Sequence, residues 1–141
     1  MEEDGYRPHR AYSCAGKEVA NGKLASTRVL TYTKPMITEE IKQITEKIKE
    51  ALDPERIYLF GSYARNEQTE TSDYDFYVVV DEKSGNPLLL CDKAYIAIFD
   101  VQQKPCDVIV NYKSKFDTRK LRHTLEKTVA KEGVLIYEKR P

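Results

Sequence analysis

The chain has 141 residues, enough for one hydrophobic core and one domain. Its 23 basic and 23 acidic residues cancel, which argues against a dedicated nucleic-acid surface, because such a surface needs a basic excess. Hydrophobic residues make up 40% and charged residues 33%, the balance of a soluble globular chain.

Residues 1–35 carry no sustained apolar periodicity and are rich in Gly, Ser, Ala, Lys and Arg, so an extended or disordered segment is expected ahead of a domain over 36–141. Ile37, Ile41, Ile44, Ile48 and Leu52 recur at steps of three and four and predict one face of a helix. Thr38 is its expected cap, Glu39 and Glu40 suit the positive first turn, and Pro54 stops it. Arg56 to Phe60 predicts a short strand running into Gly61-Ser62, where a short helix is expected. Phe76 to Val80, aromatic and β-branched, predicts the strongest strand, and Asp81 to Pro87 a turn. Leu88 to Phe99 predicts a helix with Leu88, Cys91, Tyr95 and Ile98 on one side. Val108 to Val110 predicts a strand entered through Pro105, Cys106 and Asp107. Ser114 is the expected cap of one further helix lined by Leu121, Leu125 and Val129, with Gly133 as its C-terminal glycine. Val134 to Tyr137 closes the order as a fourth strand.

No apolar run approaches the ~18 residues of a membrane helix, and no apolar stretch of a secretory signal opens the chain. Cys14, Cys91 and Cys106 with His9 and His123 fit no zinc pattern. Free thiols in a reducing cytoplasm are the expectation.

Two short motifs carry chemistry. At Gly61-Ser62 a glycine admits close approach of a phosphate, and the helix start offers N–H groups and a partial positive charge. At Asp73-Tyr74-Asp75, side chains two apart on a strand share a face, so two carboxylates converge. Their like charge calls for a counter-charge, and a hard divalent cation such as Mg²⁺ is the natural one. Asp107 stands at a strand start suited to an apolar residue, and a strand placed beside Phe76–Val80 would bring it to the same spot. Each motif alone also fits an ordinary polar turn; together they describe one site.

Phe60-Gly61-Ser62-Tyr63-Ala64-Arg65, ten residues from Tyr63 to Ser72, and then Asp73-Tyr74-Asp75-Phe76 resemble the DNA polymerase β-like nucleotidyltransferases. Within them the match is to the minimal nucleotidyltransferase (MNT) domains, as is the ending Glu132 to Glu138. The resemblance covers roughly residues 37–139. It departs at Asn66, where the family has glycine; asparagine tolerates a left-handed backbone, so the turn is expected to form.

The resemblance implies an α+β fold, a polymerase β-like palm whose mixed sheet carries its helices mainly on one face. It gives Gly61, Ser62 and Arg65 to the nucleotide and Asp73, Asp75 and Asp107 to catalysis and two Mg²⁺ ions. Lys113 and Lys115 are further candidates for phosphate contact. It also implies ATP as the substrate and AMP transfer to a tyrosine of a helical HEPN-type toxin, with this chain as antitoxin. Small-molecule nucleotide transfer and toxin binding without catalysis stand as alternatives, while an RNA-extending subunit is disfavoured by charge and length.

Overall fold

The computed structural model describes residues 37–141; the expected extension over 1–35, with His9 and Cys14, lies outside them. Helix α1 (Glu39–Leu52) begins where Thr38 Oγ1 accepts the Ile41 N–H at 3.1 Å, with Glu39 and Glu40 in the first turn. Ile41, Ile44, Ile48 and Leu52 are buried as their spacing predicts, and Ile37 packs at the edge of the same core. Burial of each such side chain stabilises by roughly 1.5–3 kcal/mol, so the apolar face, not propensity, fixes this helix. Asp53 ends it in the left-handed conformation, φ 48°, and Pro54 follows.

Four strands form one mixed sheet: β1 (Arg56–Phe60), β2 (Tyr74–Val80), β3 (Cys106–Tyr112) and β4 (Val134–Glu138), in the order β3-β2-β1-β4. β1 lies antiparallel to both β2 and β4, whereas β2 and β3 run parallel. A parallel pair needs a crossover, supplied here by a single 3₁₀ turn (Glu82–Ser84) and helix α3 (Pro87–Ile98). Between β1 and β2 lies the four-residue helix α2 (Ser62–Arg65).

The period-two alternation of the strands divides the core. Leu59, Phe76, Val78, Val80 and Val108 join α1, α2 and α3 in the larger cluster. Tyr58, Tyr77, Val79 and Leu135 form a smaller cluster on the opposite face, closed by Phe116 and Val129. Those two residues come from α4 (Lys113–Arg119) and α5 (Leu125–Glu132). The fold is α+β, a mixed sheet with most of its helices on one face, as expected.

Three local expectations are corrected. The single helix expected after β3 is two helices; Leu121 lies between them and is 78% exposed, because Phe116 takes the buried place. Ser114 is not the cap but sits inside α4, where its hydroxyl donates to Glu82, and Tyr112 holds the cap position. Gly133 is the C-terminal glycine of α5, as expected, on an extended backbone; a Cβ there would overlap the Val129 carbonyl oxygen, so close packing explains the glycine. On α3 the buried stripe is Leu90, Ala94 and Ile98, while Leu88 faces solvent.

Phe116→Ala should therefore destabilise by about 3–5 kcal/mol in urea denaturation, whereas Leu121→Ala should cost less than about 0.5 kcal/mol. Equal losses from the two would contradict this arrangement.

Candidate active site

The site grows from the first residues of β2 and β3. On β2, Tyr74 and Phe76 enter the larger cluster, so Asp75 between them faces the other side of the sheet. On β3, Cys106 and Val108 do the same, so Asp107 faces that side as well. The parallel register sets Asp75 opposite Asp107, and Asp73 precedes the strand by one residue. The expected third carboxylate is thus brought to the first two by strand pairing.

Across the sheet, Asp75 is also the partner of Phe60 on β1, so the turn that follows runs beside its carboxylate. Gly61 there has φ 77° and ψ −154°, and a Cβ at this position would overlap Asp75 Oδ2. Only glycine satisfies both the backbone and the contact. Gly61 is also the N-cap of α2, which places Ser62 as the first helical residue rather than as the cap. Asn66 ends α2 in the left-handed conformation, φ 63°, with its N–H turned back on Ser62 and Tyr63 carbonyls. The expected turn forms with asparagine in the glycine place.

Burial pushes the Asp75 carboxyl up from 3.8 to about 6, and the charges of Asp107 and then Asp73 push the same way; Arg65 opposes them. Arg65 is not turned wholly to this cluster. Its Nε pairs with Glu67 at 2.9 Å and its Nη1 with Glu132 at 3.7 Å. Lys113 pairs with Asp117 at 3.8 Å, one turn along α4.

A metal fits this cluster in chemistry: hard carboxylate oxygens, like charges in mutual repulsion, and no cation strong enough to cancel them. Among the described residues no three Asp, Glu, His or Cys side chains converge as a closed ligand set. Asp75 nonetheless feels the charges of Asp107 and Asp73, and Asp73, Asp75 and Asp107 are the groups that would hold divalent ions.

Sequence reasoning missed the residues that position these carboxylates. Glu40 on α1 accepts the N–H groups of Gln103 and Lys104 ahead of β3, and the Tyr74 hydroxyl at 2.8 Å. Lys104 Nζ donates to the Glu70 carbonyl at 2.9 Å, and the Tyr74 N–H to the Pro105 carbonyl at 3.0 Å. These bonds tie the two strand entrances together. Val108, next to Asp107, donates its N–H to the Tyr95 hydroxyl at 2.9 Å, while the Cys91 thiol donates to its carbonyl at 3.2 Å. Below the site, Glu126 is buried; burial raises its pKa, but hydrogen bonds from Tyr77 and Arg119 outweigh this and hold it below its ordinary value. The only sequence signal for Glu40 was an acidic residue in a first helical turn, which helix polarity already explains.

The family model "Polymerase beta, Nucleotidyltransferase" matches residues 39–141. Two relatives from Methanocaldococcus jannaschii, each named "Putative protein adenylyltransferase", are 54% identical over 43 residues and 51% identical over 49. These stretches are 28% and 32% of this chain, and they span 44% and 49% of the two relatives, less than half of either. A third of the same name and organism is 33% identical over 82 residues, 58% of this chain and 77% of that protein. Among the described residues no helix is long and apolar enough to cross a membrane.

Because the folded chain holds the Asp75 proton more tightly than the unfolded chain, protonated Asp75 favours folding, and that gain is lost as pH rises through about 6. Asp75→Asn should thus melt at a higher temperature than the wild type at about pH 8, and the difference should shrink as pH falls to about 5. A difference independent of pH would contradict the carboxylate cluster.

Proposed function

The chain belongs to the polymerase beta nucleotidyltransferase family, and from that premise we propose that residues 36–141 form a transferase domain that moves AMP from ATP onto a protein hydroxyl. The observation that carries this reading is the register of Asp75 with Asp107 beside Gly61. It gathers carboxylates where a phosphate chain can lie against a backbone with no Cβ. The names of the three relatives support protein as the acceptor.

In this reading Gly61 and Ser62 hold the triphosphate, with Arg65 released in part from Glu67 and Glu132 to reach it. Asp73 and Asp75 would hold two Mg²⁺ ions, and Asp107 would help to hold one of them. When bound, the ions supply Lewis-acid stabilisation of charge at phosphorus. Asp107 also accepts a hydrogen bond from the acceptor hydroxyl and orients it for attack. The acceptor oxygen forms a bond to the α-phosphorus, the bond from that phosphorus to the bridging oxygen breaks, and pyrophosphate leaves with the electron pair. The hydroxyl proton passes towards Asp107.

The acceptor we propose is a tyrosine of a helical HEPN-type toxin, with this chain its antitoxin in a cytoplasmic pair.

Labelled ATP, CTP, GTP and UTP are incubated with the chain and the partner, with and without Mg²⁺ or Mn²⁺. ATP should label the partner only with the metal. Asp73→Asn with Asp75→Asn should lower the rate by at least about 100-fold while the fold is kept. No transfer from any nucleotide, or full activity of the double variant, would overturn the reading. Label appearing on a small molecule would move it to the small-molecule transferases.

A further inference from the structure

We infer that the outer face of α3 is a docking surface for a second copy of this chain, with the two α3 helices side by side and parallel. Of the large apolar side chains exposed among the described residues, Leu88, Leu89, Tyr95, Ile96 and Phe99 lie on α3 or at its end. Leu88 is 75% exposed, Leu89 66%, Ile96 76% and Phe99 82%. Exposed apolar residues scattered singly need no explanation, but four on one helix make a patch.

The patch lies opposite the buried stripe of Leu90, Ala94 and Ile98, so α3 is apolar on both sides. Its inner side already packs on α1 and covers the β3 edge, where Tyr95 and Cys91 take the N–H and carbonyl of Val108. What stays open is the outer helix face, not the strand edge.

The pattern on that face selects the occupant. Leu89 and Ile96 are seven residues apart, a heptad step, and fall within about 20° of each other around the helix. They form a seam. Asp92 and Lys93, both exposed, lie between them in height and about 50° to either side. In a parallel two-fold pair, one flank of the seam faces the opposite flank of the other helix. Asp92 of each copy then sits beside Lys93 of the other, twice over. In an antiparallel pair like flanks meet, and Asp92 would face Asp92. The charges therefore favour a second copy in parallel orientation. Neither residue is ion-paired with another described residue, so both are available to the partner.

This inference stands apart from the transfer chemistry and is tested by association alone. Sedimentation of the full chain from about 1 to 100 µM should show a monomer–dimer equilibrium. Ile96→Glu should stay monomeric over that range and, at a concentration low enough for the wild type to be monomeric as well, should melt at the wild-type temperature, as befits an exposed position. Asp92→Lys should weaken the dimer by about tenfold, and adding Lys93→Asp should restore it. A wild type that is monomeric throughout overturns the inference, as does a dimer indifferent to Ile96→Glu. So does a melting temperature that falls in Ile96→Glu at that low concentration, since the face would then be covered from within the chain. A double variant no better than Asp92→Lys overturns the parallel orientation.

Discussion

Asp75 and Asp107 occupy the same height on neighbouring parallel strands, with Asp73 close by, and that repulsion has to be held in place by everything around it. Left to themselves two carboxylates in this position would turn to solvent or take up a proton. Asp75 goes part of the way, its pKa raised first by burial and then by its neighbours. The sheet fixes the backbones, so the charges cannot drift apart. Crowded negative charge of this kind is the chemistry that a hard divalent cation relieves.

The restraint comes from both ends of the two strands. Glu40 on α1 takes two backbone N–H groups ahead of β3 and the Tyr74 hydroxyl from β2, so a single carboxylate spans the entrances. Burial would raise the Glu40 pKa, but those hydrogen bonds prevail and hold it below its ordinary value. On the far side α3 grips Val108 through Tyr95 and Cys91. Beneath, Tyr77 two residues beyond Asp75 is tied to the buried Glu126, which Arg119 also holds at 2.9 Å. Gly61 leaves room where any other residue would press on Asp75. Sequence, packing and chemistry thus meet at a few backbone positions.

Much of this was legible beforehand, for physical reasons that differ by element. α1 follows from a five-residue apolar repeat and a threonine cap, both local signals. β1 was bounded correctly because an apolar run met Gly61. The spacing of Gly61-Ser62 to Asp73 and Asp75 drew the site together before any contact was known. The side-by-side placement of Asp107 needed the crossover to be right-register, which no local pattern states. What failed was local in another sense. Leu121 and Leu125 fit a helical repeat with Val129, yet the chain breaks between α4 and α5 and Phe116 fills the core instead. Leu88 fits the repeat on α3 but sits on its open side, because periodicity cannot say which of two apolar faces turns inward. Glu40 and Glu126 act through partners far along the chain, and so left no trace of that role in the sequence.

In the proposed reading the aspartates form one cation-dependent nucleotide site, and ligand-linked stability tests it without any acceptor. Melting is followed with Mg²⁺ and a non-hydrolysable ATP analogue, each alone and together. At a ligand concentration about 100 times Kd, binding adds about 2.7 kcal/mol. Tm should rise clearly with both present, little with the analogue alone, and not at all in Asp107→Asn. A rise that is equal without Mg²⁺, or that survives in Asp107→Asn, would contradict it.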